Sequence, residues 1–348
     1  MKIAQIAPLA ESVPPRLYGG TERVVSYLTD ELVRLGHEVT LFASGDSATR
    51  ARLVASVPQA LRLDPSVRDP IPHLLLMLER VRQRAHEFDV LHFHIEPLLH
   101  FPLFRGMGRK CVTTLHGRLD LPGLRPFFRE FGELPLVSIS HSQRAALPDA
   151  NWVATVHHGL SPEVCPFNPA PRGQYLAFLG RVSPEKGVDR AIEVARRARV
   201  KLRIAAKVDQ ADERYWRHSI APLVGGDVEF IGELAERDKP AFLGNAAGLL
   251  FPIDWPEPFG LAIIEAMSCG TPVLAWRNGA VPEIVEHGAS GFIVGSIHEA
   301  LAHLPRLVQL ERAQVRRRFE ARFLAARMTQ EYLSVYHSLG RKQAVRVA

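Results

Sequence analysis

The sequence predicts an α/β protein built from two doubly wound domains. Its 348 residues exceed what one ordinary hydrophobic core supports, so two domains of roughly 150–180 residues each are expected. Short apolar strands alternate with helical patterns, which favours parallel sheets wound through right-handed crossovers. The alternation stops at residues 160–173, where four prolines and little periodicity indicate a linker, and then starts again. We therefore assign a first domain to residues 1–165, a second to 166–315 and a terminal helix to 316–348.

The first half begins with a strand, a helix and a second strand. Thr21 is predicted to cap the helix, because its hydroxyl can accept a hydrogen bond from a free N–H of the first turn. Gly36 is expected to end it. The apolar residues of this helix recur at helical spacing: Val24, Val25, Leu28, Leu32 and Leu35. The strands predicted in this half are apolar runs at 2–8, 37–43, 89–94, 111–117 and 134–140.

The second half repeats this alternation. Its predicted strands are the apolar runs at 175–181, 201–207, 228–233, 248–253 and 271–276. A helix is expected over 260–269, and a long helical pattern covers 310–339. Ligands of open parallel sheets bind at the carboxyl ends of the strands, so a cleft between two facing sheets is the expected site.

Composition indicates a globular protein. Hydrophobic residues make up 47% and charged residues 23% of the chain, close to the globular average. No apolar run approaches the ~20 residues that span a bilayer. Residues 1–12 are interpreted as a strand rather than a targeting segment, because their apolar part is short and ends before Glu11. The cysteines are sparse and odd in number (Cys111, Cys165 and Cys269), which fits a reducing compartment, so a cytoplasmic location is expected.

Positive charge is concentrated at the C-terminus. The segment from Glu311 onward carries nine Lys or Arg and three Glu, a difference equal to the net charge of +6 for the whole chain. A solvated face of a terminal helix is the simplest interpretation. Attraction to an anionic membrane at the inner membrane face is the alternative. Nucleic-acid binding is disfavoured, because no basic, aromatic-rich fold motif accompanies the charge.

The strongest local signal is the segment 256–276, which follows a strand and opens a helix. The N–H groups of Phe259, Gly260 and Leu261 would be free at the helix start, and with the positive end of the helix they suit a diphosphate. Glu257 precedes this site, and Glu265 lies about 7–8 Å further along the helix. Carboxylates accept strong hydrogen bonds from hydroxyls. The order of carboxylate, anion site and carboxylate therefore matches the sugar, diphosphate and ribose of a nucleotide sugar.

These residues resemble family 4 of the retaining glycosyltransferases, which have the GT-B architecture of two Rossmann-like domains facing across a cleft. The family hallmark of two glutamates separated by seven residues stands here as EPFGLAIIE, residues 257–265. Three further segments are similar to the family and extend the resemblance over nearly the whole chain. They are the glycine-rich turn and helix at 18–32, the Gly-Arg and Glu-Lys-Gly segment at 179–193, and the closing segment at 279–294.

The resemblance implies a role for each candidate residue. Arg181 and Lys186 would clamp the donor diphosphate and stabilise charge on the leaving nucleotide. Glu257 would hold the hydroxyls of the transferred sugar and Glu265 the ribose. His116, at the end of a strand in the first domain, would reach the donor sugar near its reacting carbon.

The resemblance also implies features outside the second domain. Gly19 and Gly20 would form a flexible turn near the phosphates and the acceptor. The helix at 316–348 would cross back to the first domain. After the strand at 201–207 the chain departs from the glycine-rich turn of many relatives, and Lys207 is an alternative cation there.

A metal is not expected to take part. His92, His94 and Glu96 alternate along one strand and share a face, which is a pattern that can ligate a metal. The resemblance instead favours a histidine at this strand end without a metal, and no Asp-x-Asp occurs in the chain. Cations that clamp the diphosphate replace a bridging metal, so we expect metal independence and no cofactor besides the nucleotide sugar.

The resemblance implies transfer of a hexose with retention of configuration. The domains would close about the linker at 160–173, and the departing phosphate oxygen would take the proton of the acceptor. A UDP-sugar is the favoured donor and GDP-mannose the alternative. The acceptor is a hydroxyl of a small molecule, a glycan or a lipid-linked sugar. Other functions on the same architecture are a nucleotide-sugar epimerase, a phosphorylase and a non-catalytic nucleotide-sugar sensor.

Overall fold

The computed structural model describes residues 1–17 and 19–341, and the side chains up to Leu339. Two compact units divide the chain. The first comprises Met1–Gly159 together with the segment that begins at Ala325, and the second comprises Leu160–Leu324. The division thus falls six residues before the sequence-based boundary at 165. Lys342 and Arg346, which contribute to the basic C-terminal segment, lie outside the described residues.

The first unit contains a seven-stranded parallel sheet of order β3-β2-β1-β4-β5-β6-β7. Its strands are β1 (Lys2–Ile6), β2 (Glu38–Ser44), β3 (Arg52–Val57), β4 (Val90–Phe93), β5 (Cys111–Thr114), β6 (Leu136–Ser138) and β7 (Trp152–Thr155). From β1 the strands β2 and β3 are added toward one edge of the sheet, and from β4 onward they are added toward the other edge, as in a doubly wound sheet. This confirms the predicted fold class for the first unit.

Helices cover both faces of this sheet. They are α1 (Gly20–Arg34), α2 (Ile71–Gln83), α3 (His100–Phe104), α4 (Leu124–Glu130) and α5 (His141–Ala145). The prediction that Thr21 caps the first helix is wrong. Gly19 occupies the cap position without a side-chain hydrogen bond, and Thr21 lies inside the helix. Gly36 follows the helix with φ +83°, a left-handed conformation that glycine adopts without strain, so it ends α1 as expected.

The second unit contains a six-stranded parallel sheet of order β10-β9-β8-β11-β12-β13. Its strands are β8 (Tyr175–Arg181), β9 (Lys201–Lys207), β10 (Val228–Gly232), β11 (Gly248–Phe251), β12 (Val273–Trp276) and β13 (Gly291–Val294). The strands are added toward the two edges in the same way, now from β8 and β11. The second unit is therefore also a doubly wound domain, as predicted.

The helices of the second unit are α6 (Val188–Ala198), α7 (Glu213–Tyr215), α8 (Lys239–Gly244), α9 (Leu261–Ser268), α10 (Val281–Ile284), α11 (Ile297–Leu307) and α12 (Arg312–Arg322). A π-helical turn, Trp216–Ile220, follows α7. The single long helix expected over 310–339 is wrong, because α12 ends at Arg322 and a second helix begins at Ala325. Phe323 leaves the helical conformation and its fully buried ring packs edge-on against Phe259. Burial of this aromatic ring in the second unit explains the break.

The last helix, α13 (Ala325–Arg341), belongs to the first unit, where it packs against α1. Its apolar face is buried. On that face, the hydroxyl of Tyr336 is hydrogen-bonded to Gln5 of β1, and the hydroxyl of Tyr332 is hydrogen-bonded to Thr114 of β5. The apolar face of α13 is thus part of the first unit's core.

The basic C-terminal segment is partly used inside the fold. Arg312 donates hydrogen bonds to four backbone carbonyls and one hydroxyl: Asn168, Gly244, Ala246, Cys269 and Thr271. Arg316 and Arg322 also donate to backbone carbonyls of the second unit, and Arg327 donates to His157 O in the first. These four arginines therefore do not form the solvated face that the charge pattern suggests.

Replacing Arg312 with lysine is expected to lower the free energy of unfolding by about 2 kcal/mol. An ammonium group has three donors on a flexible stem and cannot reproduce a planar fork bonded to five acceptors, so buried carbonyls lose their partners. Denaturant unfolding measures the loss. Arg317→Lys is the matched control, because Arg317 is exposed on the same helix. Equal losses in the two proteins would contradict this role of Arg312.

Candidate functional site

Two loops at the carboxyl ends of neighbouring strands meet in the second unit. The loop after β8 forms a short 3₁₀ turn, Pro184–Lys186, and the loop after β11 runs from Pro252 to Gly260. Asp254 N donates to Glu185 O at 2.8 Å, which joins the two loops. Gly187 has φ +68°, and a Cβ there would lie 2.1 Å from Pro252 O. Only glycine permits this close approach, and it brings Lys186 to the segment that contains Glu257.

Lys186 and Glu257 form a direct ion pair at this junction. Lys186 Nζ lies 2.5 Å from Glu257 Oε2, and the two side chains are only 14% and 12% exposed. Trp255 Nε1 donates to the same oxygen at 2.8 Å, and the Lys186 ammonium lies 4.8 Å from the centre of the Trp255 ring. Among the described residues no donor contacts the other oxygen, Oε1. Glu257 is therefore held firmly through one oxygen while the other can accept hydrogen bonds from a ligand.

Arg181 ends β8 beside three carboxylates. It bonds Glu185 at 2.6 Å and lies 3.8 Å from Asp209 and 3.6 Å from Asp212. Burial raises the pKa of Asp212; Arg181 opposes this effect, and Glu185 and Asp209 add to it. Lys207, considered from sequence as an alternative cation, pairs with Asp209 at 2.8 Å. The two cations are thus balanced by acids that the sequence analysis did not single out.

The start of α9 has the geometry expected for an anion site. Gly260 precedes the helix with φ +94°, and no side chain caps the helix. A Cβ on Gly260 would lie 3.1 Å from Ile263 Cδ1 and 3.3 Å from Phe251 Cζ, so the backbone is closely packed behind the turn. Phe259 is buried, and Leu261 is the first helical residue. Ile263 N donates to Gly260 O at 3.0 Å, whereas no backbone carbonyl of the described residues accepts from the N–H groups of Leu261 and Ala262.

Glu265 lies on α9 and is 3% exposed. It contacts a residue that the sequence gave no reason to select: Lys239 at the start of α8, whose Nζ lies 3.4 Å from Glu265 Oε1 and 3.2 Å from Glu236 Oε1. A single buried ammonium therefore bridges two carboxylates. Buried carboxylates are costly unless they are paired, so Lys239 stabilises the ionised form of Glu265.

The remaining predicted residues belong to the first unit. His116 lies two residues beyond β5, and burial lowers its pKa to about 3. The imidazole is therefore neutral at physiological pH. Gly19 caps α1 and Gly20 is its first residue, so the two glycines lie where the loop enters the helix. A Cβ on Gly19 would lie 2.7 Å from Pro15 Cβ, which accounts for a glycine at this position.

The alternating His92, His94 and Glu96 are not grouped as metal ligands. His92 bonds Tyr336 OH and Thr114 Oγ1, and His94 bonds Gln5 and His116. Among residues 1–17 and 19–341, no cluster of three or more His, Cys, Asp or Glu is placed to hold a metal ion. The shared face of the two histidines is instead a set of side-chain hydrogen bonds. In the same described ranges, every helix is too short or too polar to cross a bilayer.

Some residues of the site could have been found from sequence and others could not. Trp255 stands two positions before Glu257, and a tryptophan in a proline-rich loop is a recognisable signal. Lys239, Asp209 and Asp212 carry no local signal, because their importance comes from strands that are distant in sequence. The structure brings Arg181, Lys186, Glu257, Gly260 and Glu265 into one unit, whereas His116 and the two N-terminal glycines belong to the other.

Two family models match the chain. The model described as Glycosyl transferases group 1 matches residues 167–322, and the model described as Glycosyltransferase Family 4 matches residues 18–144. The first match lies in the second unit and includes the paired loops around Lys186 and Glu257. The second lies in the first unit and includes His116. Between them the two matches extend over most of the chain.

Individual proteins show the same likeness along their length. D-inositol 3-phosphate glycosyltransferase of Pseudarthrobacter chlorophenolicus is 25% identical over 343 residues, covering 81% of this chain and 80% of the relative. Phosphatidyl-myo-inositol mannosyltransferase of Mycolicibacterium smegmatis is 25% identical over 328 residues, covering 84% and 81%. The crystal structure of AviGT4, a glycosyltransferase involved in avilamycin A biosynthesis, matches with a TM-score of 0.73 and 25% identity over 98% of each chain.

Proposed function

Because this chain belongs to the family 4 glycosyltransferases of GT-B fold, we propose that it transfers a hexose from a nucleoside diphosphate sugar to a hydroxyl group. The observation that carries the proposal is the contact between Lys186 and Glu257 beside the uncapped start of α9. This arrangement combines a cation, free helical N–H groups and a carboxylate with one open oxygen. Phosphate and sugar hydroxyls need these three kinds of partner.

The donor would bind along the second unit. The diphosphate would lie at the N-terminal end of α9, where Arg181 and Lys186 supply positive charge. Glu257 Oε1 would accept hydrogen bonds from the hydroxyls of the sugar. Glu265 would accept them from the ribose, four residues into the helix from Leu261. This order follows the covalent order of a nucleotide sugar.

Binding of the diphosphate would require a change of partners. Lys186 is paired with Glu257, and Arg181 with Glu185. A diphosphate offers these cations stronger, multiply charged acceptors than one carboxylate does. The two ion pairs give these partly buried cations partners until the donor binds. Release of Glu257 from Lys186 would then leave its carboxylate for the sugar.

We assign retention of configuration with attack on the face that the nucleotide leaves. Glu257 and Glu265 both have binding roles, so neither is an obvious nucleophile for a covalent glycosyl-enzyme. His116, with a pKa of about 3, is a very weak base at neutral pH. These two points favour the departing phosphate oxygen as the acceptor of the proton from the attacking hydroxyl. Arg181 and Lys186 would stabilise the negative charge of that phosphate.

A UDP-sugar is the donor we favour, with GDP-mannose as the alternative that a mannosyltransferase among the relatives supports. The acceptor is a hydroxyl compound, and inositol phosphates and phosphatidylinositols are the first candidates because two relatives are named for them. We also propose that no divalent metal is required. Two protein cations at the diphosphate can supply the charge that a bridging metal supplies elsewhere.

The proposal is tested by incubating the protein with a panel of UDP-, GDP- and ADP-sugars, with and without EDTA, and measuring nucleotide release and sugar transfer. We expect one donor to release its nucleotide, at a rate that EDTA leaves unchanged and that rises when the correct acceptor is added. The anomeric configuration of the product is read by NMR. The Glu257→Gln protein is run beside it to measure background hydrolysis.

Specific outcomes would contradict parts of the proposal. Tight binding of a nucleotide without release from any donor, in the presence of every candidate acceptor, would favour a sensor. Loss of activity in EDTA with recovery on adding Mg²⁺ or Mn²⁺ would refute metal independence. An inverted product or a trapped glycosyl-enzyme would refute the assigned mechanism.

A further inference from the structure

Seven side chains of the first unit, of which His116 is the first, are hydrogen-bonded in series. His116 Nε2 lies 2.9 Å from His94 Nδ1, and His94 Nε2 lies 2.8 Å from Gln5 Oε1. Gln5 Nε2 lies 3.1 Å from the Tyr336 hydroxyl, which lies 2.7 Å from His92 Nδ1. The series then ends through Thr114. Its Oγ1 lies 2.8 Å from His92 Nε2 and 3.0 Å from the Tyr332 hydroxyl. We call this series the His116 chain.

The Gln5 amide sets the direction of every hydrogen bond in the His116 chain. Its oxygen can only accept, so His94 carries its hydrogen on Nε2 and has a lone pair on Nδ1. That lone pair accepts from His116, whose hydrogen is therefore on Nε2. On the other side, the Gln5 N–H donates to Tyr336, and the tyrosine hydroxyl donates to His92. All bonds thus point from His116 toward Tyr332.

Bond lengths favour this direction over its reverse. Turning the amide end for end would make Tyr336 donate O–H to the glutamine oxygen across 3.1 Å. O–H···O bonds in proteins measure about 2.5–3.0 Å, whereas 3.1 Å is ordinary for N–H···O. The shorter contact of Tyr336, 2.7 Å to His92, is the one in which its hydroxyl donates.

This direction of the hydrogen bonds leaves one ring nitrogen of His116, Nδ1, without a hydrogen-bond partner among the described residues. Nδ1 carries a lone pair, is buried, and is bonded by none of the described residues. Burial keeps the imidazoles of His92, His94 and His116 neutral by lowering the pKa of each. An acceptor atom screened from water lacks a hydrogen-bond donor until a ligand provides one. The ring as a whole is only half-buried, so a bound molecule can reach it with a small side-chain movement.

We propose that the His116 chain fixes His116 as the Nε2–H tautomer, so that Nδ1 is left to accept a hydrogen bond from a hydroxyl of a bound substrate, and that Tyr336 is the positioning residue that enforces this. The proposal rests on the proposed function for the identity of the ligand. Tyr336 is the central member, because its hydroxyl joins the Gln5 half of the chain to the His92 half. It lies on α13 with Tyr332, and the other members of the chain lie on β1, β4 and β5 or within two residues of their ends.

The tautomer is measured directly by NMR of protein labelled with ¹⁵N-histidine, without ligand. Long-range ¹H–¹⁵N cross-peaks distinguish the two neutral tautomers, and the His116→Asn spectrum assigns the signals. We expect His116 to carry its hydrogen on Nε2. A hydrogen on Nδ1, or a mixture of the two tautomers in the unaltered protein, would overturn the proposal. This readout needs no transfer activity, so it stands or fails separately from the proposed function.

Tyr336→Phe tests the positioning role. Loss of the hydroxyl frees the Gln5 amide to turn over, so we expect both tautomers of His116 and a kcat for transfer lowered about tenfold, with the donor KM within twofold. The matched control is Tyr332→Phe. Tyr332 is also buried, lies one turn earlier on α13 and is only the last acceptor of the chain. It should keep the single Nε2–H tautomer of His116 and lose less kcat than Tyr336→Phe.

Thermal unfolding of both variants shows whether the fold is intact. Equal tautomer mixtures and equal kcat losses in the two variants would overturn the role of Tyr336. A single Nε2–H tautomer retained in Tyr336→Phe would do the same.

Discussion

Replacing Glu257 with glutamine is expected to lower the rate of sugar transfer about 1000-fold, while the nucleoside diphosphate binds as tightly as before or more tightly. The first effect follows because a neutral amide accepts weaker hydrogen bonds from the sugar hydroxyls than a carboxylate does. The unchanged or tighter binding of the nucleoside diphosphate follows from the ion pair between Lys186 and Glu257. Lys186 must leave Glu257 before it can bind phosphate, and the substitution removes that cost.

The measurements are calorimetric titration with the nucleoside diphosphate and a transfer assay with the full donor. Lys186→Gln is the matched control, since it breaks the same ion pair from the other side. It should weaken binding of the nucleoside diphosphate at least tenfold as well as slow transfer, because the phosphate loses a cation. If Glu257→Gln weakened binding of the nucleoside diphosphate as much as Lys186→Gln does, the data would contradict separate roles for Glu257 in binding the sugar and for Lys186 in binding the phosphate.

The interior strands of both sheets were predictable because most of their residues are apolar and buried. The runs at 175–181 and 201–207 match β8 and β9 residue for residue. The missed strands, β3, β7 and β13, all lie at sheet edges. Strands β3 and β7 are half-exposed and therefore lack a continuous apolar signal. The break between α12 and α13 was missed for a different reason, since the apolar spacing continues through it while Phe323 is buried by tertiary packing.

The candidate site also contains residues that local sequence indicates and residues that only tertiary packing brings together. Glu257, Gly260 and Glu265 were found because the anion site is a local feature of one loop and one helix. The partners that balance the charges come from elements distant in sequence: Lys239 at the start of α8 for Glu265, and Asp209 and Asp212 after β9 for Arg181. Spacing in sequence cannot indicate such contacts, because tertiary packing creates them. The Gln5 and Tyr336 contact behind His116 joins residues 331 positions apart and is the extreme case.

Gly279→Ala is expected to lower the free energy of unfolding by about 4 kcal/mol and to abolish transfer in the protein that still folds. Gly279 has φ +54°, and a Cβ there would lie 2.3 Å from both the N and the O of Glu257. The conformational strain and the steric overlap each cost about 1–3 kcal/mol. Relief of the overlap must move the backbone of Glu257, because Ala280 N also bonds Glu257 O at 2.9 Å.

Gly288→Ala is the control that separates the cost of backbone strain from the effect of displacing the Glu257 backbone. Gly288 has φ +81°, also left-handed, but a Cβ there would have no atom within 4 Å. We expect it to cost about 1 kcal/mol and to leave transfer unchanged, since only the conformational preference of glycine is lost. Denaturant unfolding and the transfer assay are applied to both proteins. Similar transfer rates for the two folded variants would mean that the position of the Glu257 backbone does not limit catalysis. The segment at 279–294 would then serve stability alone. A loss confined to Gly279→Ala would instead show that this segment holds the sugar-binding carboxylate in place through a contact that only glycine permits.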